Sequence, residues 1–142
     1  MVEFKVKTRP TGALARLSGR GQARVESRTG GSLEVVTAVS EPGFNPLDLL
    51  YASLAACLVL SVKGAVTRLH LTERFDGVEA EVTGNKAEVG PARVETLHCL
   101  LRVQGRLTVE EGHAIKELAK ELCTVSNTLG TPPTMDLVLE TA

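Results

Sequence analysis

The stretch NPLDLLYASLAACLVLSVK, residues 45–63, decides the architecture of this chain. It opens with a helix-start signal. Asn45 suits the N-cap, and Pro46 suits the first helical position, where its missing N–H is not needed. The pattern predicts a helix running to Lys63 or Arg68, with Gly64 a weak point inside it. Apolar residues fall on every side of this helix, so it must be covered on every side. A small sheet covers one face and a second helix another. The simplest source of the remaining cover is a second copy of the chain, which places this helix at the centre of a symmetric dimer. Near its middle it carries a cysteine, Cys57.

Before this helix the chain reads as short strands. Val2, Phe4 and Val6 alternate with Glu3, Lys5 and Lys7, the period of a half-buried strand. Ala13 to Leu17 predicts another. SGRGQARVE leads from a turn into extended chain, Gly30-Gly31 is a turn, and the β-branched SLEVVTAV predicts a further strand. After the helix, FDGVEAEVTG and ARVETLHCLLRVQG alternate and are joined by the polar NKAEVGP, a hairpin with a long loop. Thr108 and Glu111 have the spacing of a capping box. Ile115, Leu118 and Leu122 follow at helical steps, so the second helix is amphipathic. Cys123 comes one turn after Ala119, at the end of that helix. TLGTPPT breaks the chain, and MDLVLE predicts a last strand. The order implies an α+β fold, a mainly antiparallel sheet packed on two helices, in one domain spanning residues 1–142.

Composition narrows the partners. The 142 residues carry a net charge of -1, with 43 % hydrophobic and 23 % charged residues, the profile of a globular domain. A sequence pI of about 6.3 gives no reason to expect nucleic acid or an anionic membrane. Aromatics are 3 % and Trp is absent, so no platform for stacking bases is expected. The apolar run from Leu47 to Val62 is interrupted by Asp48, Ser53 and Ser61, and is shorter than the roughly 20 residues a membrane span needs. MVEFKVKTRP has no apolar secretory core, and the expected location is cytoplasmic. The cysteines are three, Cys57, Cys99 and Cys123, which does not suggest a structural disulfide framework. No CxxC occurs, and His70, His98 and His113 lack zinc-ligand spacing, so neither metal nor cofactor is expected.

A buried cysteine usually behaves as a small hydrophobe. That is the plain reading of Cys57 and, more firmly, of Cys99 in the strand segment HCLL. Cys123 shifts the balance. Cysteines on two packed helices can meet if their Cα atoms come within about 7 Å. A thiol pair in a cytoplasmic protein is more often redox or catalytic than structural. Two other readings stand beside this one: a cysteine enzyme of acyl transfer with His113 or His70 as base, and a structural dimer module with inert thiols.

The residues also carry a resemblance. NPLDLLYASLAACL resembles the first cysteine helix of the osmotically induced and organic hydroperoxide resistance proteins, the OsmC/Ohr family. ELCTVSNTL resembles that family's second cysteine motif, and the separation of the two cysteines is similar. SGRGQAR resembles the glycine–arginine turn that supplies the family's active-site arginine, here Arg20, with Arg16 and Arg24 as neighbours that could substitute. The element order matches over nearly the whole chain. The resemblance implies a thiol-dependent peroxidase acting on organic hydroperoxides, without a cofactor. It implies an intertwined homodimer with the Cys57 helices central. Cys57 would attack the peroxide, Cys123 would close a Cys57–Cys123 disulfide, and an external dithiol, in the family a lipoyl protein, would reduce it.

The chemistry suits these residues. Only a thiolate attacks efficiently, and a free thiol has a pKa of about 8.5. Mid-helix, Cys57 gains little from the helix dipole, so a cation such as Arg20 is required. Phe44, Leu50 and Leu54, with Leu49, offer apolar walls that suit a greasy substrate and equally suit a core. One position departs from the family's peroxidases, which carry glutamate directly after the NP pair. Here that position is Leu47, and the carboxylate stands at Asp48, about 100° further round the helix. Asp48 is either a supporting group for the arginine or a first-turn acid favoured by the dipole. In this respect the chain resembles the OsmC-like branch, for which the alternative function is binding or sensing electrophiles without efficient turnover.

Overall fold

The computed structural model describes residues 10–38 and 40–141. The strand expected at residues 2–7 lies outside them. The chain divides into two compact units, residues 1–49 and 50–142.

The first unit contains an antiparallel meander of β1 (Ala13–Arg16), β2 (Ala23–Ser27) and β3 (Ser32–Val35). Ala13 pairs with Ser27, and Ala23 with Val35. The β1–β2 turn closes where Gly21 N–H donates to the Ser18 carbonyl at 3.2 Å. Gly30 takes φ 99° in the β2–β3 turn, a conformation that favours glycine. β3 is shorter than the apolar run SLEVVTAV because Val36 N–H turns away to the Phe44 carbonyl at 3.0 Å.

The helix α1 (Pro46–Arg68) starts as its sequence predicts. Asn45 Oδ1 accepts from Asp48 N–H at 2.9 Å, and the Asp48 carboxylate accepts from Asn45 N–H at 3.0 Å. That reciprocal pair satisfies two backbone donors at the helix entry. The helix ends in a Schellman turn. Leu71 N–H reaches the Val66 carbonyl at 3.0 Å, and His70 occupies the left-handed position with φ 57°. His70 thus has a structural task. With 23 residues and a mean hydropathy of 1.9, α1 has the length and apolarity of a membrane span, more than the interrupted run suggested. Its buried stripe nevertheless packs on protein, as in a core helix.

That stripe consists of Leu54, Leu58, Ser61, Val62, Ala65 and Val66, spaced at three and four residues. In the second unit it meets a long hairpin and a second helix. The hairpin pairs β4 (Phe75–Lys86) with β5 (Val94–Gly105), with Val82 opposite Cys99 and Ala80 opposite Leu101. Its inner face carries Val78, Ala80, Val82, Leu97, Leu101 and Val103, while Glu79, Glu81 and Arg102 face outward as ion pairs. Gly84 is required by close approach. A Cβ there would lie 2.9 Å from the Tyr51 hydroxyl and 3.1 Å from the Thr96 carbonyl. The helix α2 (Val109–Leu122) buries Ile115 and Ala119 against Val62, Ala65 and Val66. Burying a side chain such as Ile115 or Val62 contributes about 1.5–3 kcal/mol.

The expected α+β class with antiparallel pairing is found, and three details differ. The described strands form two separate antiparallel sheets, of three and two strands, rather than one. A third helix, α3 (Thr124–Gly130), follows α2 directly. Seven residues are too few for an apolar period to show in sequence, and the break falls at Thr131-Pro132-Pro133 instead. Finally, MDLVLE is not a strand. Met135 and Leu137 are 92 % and 98 % exposed, and the segment has no ladder partner among the described residues. β propensity is expressed only where an edge is available to pair.

The entry to α2 ties its cap to the hairpin. Thr108 and Glu111 form the capping box, at 3.1 Å and 2.9 Å. The Glu111 carboxylate also takes a two-pronged contact from Arg74, with Nη1 to Oε2 at 2.9 Å. Hydrogen bonding from Arg74, then from the Thr108 backbone, holds the Glu111 carboxyl below the usual glutamate range. A carboxyl lowered in the folded state stabilises the fold above its unfolded value and loses that contribution as pH falls through its folded value. Glu111→Gln retains the capping geometry but not the charge. Thermal unfolding should find the variant less stable than the parent at pH 7, with the difference shrinking as the pH falls below about 4.5.

Candidate active site

Cys123 occupies the junction between α2 and α3, not the body of a helix. It is fully buried. Its sulfur acts as the N-cap of α3, accepting from Ser126 N–H at 3.4 Å. Leu54 and Leu58 of α1 pack directly on it, and Cys57, Ala80, Val82, Leu97, Leu101 and Val125 surround that cluster. Cys57 is half-buried. Cys57 and Cys123 thus belong to one apolar cluster. All three cysteines are free thiols.

The electrostatics of Cys123 follow from its place. Burial pushes the thiol up, because the apolar walls disfavour the anion. The Ser126 N–H acts the other way by donating to the sulfur, the Cys57 sulfur beside it raises it further, and the Ser61 hydroxyl lowers it. Ser61 and Ser126 were not picked out in the sequence. The signal for Ser61 was available, since it follows Cys57 by four residues and so shares its helix face. Ser126 acts through its backbone, which no sequence pattern announces.

The other expected site residues sit as follows. Leu54 is in the cysteine cluster. Leu50, half-buried, stands one turn before it on α1. Arg20 is exposed in the β1–β2 turn of the first unit, as are Arg16 and Arg24 on the strands beside it. Arg16 and Arg24 both pair with Glu26, each at 3.5 Å. Phe44, exposed, belongs to the first unit and bonds through its carbonyl to Val36. Asp48 accepts from Asn45 N–H at the entry to α1. The structure thus brings together Cys57, Cys123 and Leu54 in the second unit, while Arg20, Phe44 and Asp48 are residues of the first.

Cys99 is exposed on β5, opposite Val82 of that cluster. It lines an apolar cavity of about 410 Å³ with Leu54, Leu58, Leu100, Leu101 and the α2 lysines Lys116 and Lys120. Partial burial pushes its thiol up. Among the described residues no cluster of three or more His, Cys, Asp or Glu could hold a metal ion.

The paired thiols in an apolar cluster can exchange between dithiol and disulfide, and the half-buried Cys57 is the member that an outside reagent reaches first. Comparisons with known proteins bear on the family and the fold. The family model described as OsmC-like protein matches residues 39–138. No curated protein matches the chain by sequence. The fold is similar to that of an OsmC-like protein from Mycoplasma pneumoniae, with TM-score 0.75 at 16 % identity over 89 % of this chain and 91 % of that one. It is also similar to an organic hydroperoxide resistance protein from Elizabethkingia anophelis, with TM-score 0.69 and 25 % identity over 88 % and 91 % of the two chains. The organic hydroperoxide resistance protein OhrB of Bacillus subtilis aligns with TM-score 0.64 and 23 % identity over 86 % and 92 %.

Proposed function

The chain belongs to the OsmC-like protein family, and from that premise we propose that it is a thiol-dependent peroxidase that reduces organic hydroperoxides. The observation that carries this reading is the meeting of two free thiols, Cys57 and Cys123, inside an apolar cluster. The similarity to organic hydroperoxide resistance proteins supplies the substrate class.

The half-buried Cys57 attacks the outer oxygen of the peroxide. The O–O bond breaks, the alkoxide leaves and takes a proton, and Cys57 becomes a sulfenic acid. Cys123 then attacks that sulfur. The S–O bond breaks, water leaves, and a Cys57–Cys123 disulfide remains. An external dithiol, of the lipoyl type in the family precedent, returns both thiols by exchange. Arg20 is the cation assigned to the thiolate and the departing alkoxide by charge-assisted hydrogen bonds, on the strength of the SGRGQAR turn. The apolar side chains of Leu50, Leu54 and Phe44 favour an alkyl peroxide over hydrogen peroxide. Residues 1–142 act as one OsmC-like domain, and the protein works in the cytoplasm.

The working form is a homodimer. In the single chain α1 buries one stripe only, and Leu60 on another side is 69 % exposed. The apolar tail from Met135 to Leu139 is also uncovered. Both are surfaces that a second copy would remove from water. Sedimentation equilibrium at micromolar concentration should give twice the chain mass, and a well-folded monomer would remove this reading.

One equivalent of cumene hydroperoxide should consume two thiols per chain, and peptide mapping should find Cys57 joined to Cys123. Cys123→Ser should react once and accumulate sulfenic or sulfinic acid at Cys57. Cys57→Ser should not react, and Cys99→Ser should keep activity within about twofold. A parent chain that keeps both thiols free would end the peroxidase reading. Arg20→Met should leave the fold intact and slow iodoacetamide alkylation of Cys57 at neutral pH. An unchanged rate would move the role to Arg16 or Arg24.

A further inference from the structure

Among the described residues β5 has a neighbour on one side only. It pairs with β4, and its other edge is free. The cavity of about 410 Å³ lies along that edge. Cys99, Leu100 and Leu101 line it in succession, whereas the face of a strand offers every second residue. A second cavity, of about 290 Å³, shares Leu101 and Lys116 with the first and continues past Val103 and Ile115. Together they form a slot between the β5 edge and α2. Cys99 shows that this side lacks cover. It belongs to the inner face with Leu97 and Leu101, which are half-buried, yet it is exposed itself. On the outer face Leu100 is an exposed apolar side chain between His98 and Arg102.

The chain also holds a segment that fits such an edge. In MDLVLE, residues 135–140, Met135, Leu137 and Leu139 fall on one face of an extended chain, and Asp136, Val138 and Glu140 on the other. Set beside β5 with Val138 against Leu100, both faces match in either strand direction. The acids then stand by His98 and by Arg102, which also holds Glu79 and Glu81, and the three apolar side chains extend the inner face of Cys99 and Leu101. The slot is lined by His113, Lys116 and Lys120 without a carboxylate, while the segment has two acids and no base. We propose that residues 135–140 of a second copy add to the free edge of β5 as a strand, so that each chain's slot is closed by its partner's tail. This rests on the dimer reading. Two observations favour a second copy over the chain's own tail. In the single chain the segment stands clear, with Met135 to Leu139 exposed. Pro132 and Pro133 lie in the link after α3, and their fixed φ keeps that link extended instead of folding it back. An apolar arm on a stiff link is suited to exchange between copies.

The exchange serves both backbone and side chains. The β5 edge and the segment each present N–H and C=O groups without a ladder partner, and strand addition satisfies the two rows at once. It also reaches the thiol site. Leu54 and Leu58 line the slot and pack on Cys123 as well. The partner's tail is thus the outer apolar wall of the cluster that holds both thiols. The site of one chain is complete only when the other chain is present.

The test uses the thiol already in the slot. In a Cys57→Ser, Cys123→Ser background Cys99 is the single thiol left of three. Leu137→Cys and Leu139→Cys each put a second thiol on the inward face of the tail, where directly opposed cross-strand residues lie within disulfide reach. Oxidation with copper–phenanthroline should join Cys99 of one chain to the tail of the other. A non-reducing gel should then show a band at twice the chain mass. One of the two variants should give about tenfold more of it than Val138→Cys, whose side chain faces the other way. Peptide mapping identifies the bond, and thermal melts establish that all three chains are folded. A disulfide within one chain gives the slot to the chain's own tail and overturns the proposal. So does the absence of the bond, or equal linking from all three positions. Sedimentation equilibrium on the same chains keeps the two readings apart. A dimer without the bond overturns the exchange alone, and a folded monomer removes the dimer as well.

Discussion

The structure depends on burying one stripe of α1. Leu54, Leu58, Val62, Ala65 and Val66 come into line because a helix brings residues three and four apart onto one face. The hairpin and α2 both take their places against that stripe. Val62, Ala65 and Val66 hold Ile115 and Ala119 of α2. One turn nearer the helix start, Leu54 and Leu58 close over Cys123. The same burial that stabilises the fold therefore sets the environment of a sulfur.

That coupling explains the asymmetry of the two thiols. Cys57 lies on the flank of the stripe and stays half-buried, open to a reagent. Cys123 lies under it, where the low dielectric disfavours a charge. A junction between two helices is a suitable place for such a sulfur. The backbone N–H groups that open α3 have no carbonyl partner within that helix, and one of them, from Ser126, turns to the sulfur. The arrangement is compact because α2 hands over to α3 at Cys123 itself.

The capping pairs share a logic with the site. Asn45 with Asp48 and Thr108 with Glu111 each satisfy a backbone donor by a side chain three residues away, and Glu111 extends the pattern to Arg74. Asp48 shows how such local demands compete with longer-range ones. Its carboxylate already serves the start of α1, the task that its place in the first turn suits.

The sequence by itself determined the elements whose causes are local. Asn45-Pro46 marked the start of α1, Thr108 and Glu111 the start of α2, and the alternation around Val82 and Cys99 the hairpin. Each depends on residues only a few positions apart, so each is written in the order of side chains. The two cysteine motifs likewise identified Cys57 and Cys123 as the thiols to watch. Tertiary structure alone decided what depends on elements meeting. Leu54 and Leu58 became the cover of Cys123 only because α1 packs over the α2–α3 junction. MDLVLE, with every local property of a strand, remained unpaired because a strand is completed by the backbone groups of another segment, and its own residues cannot supply them.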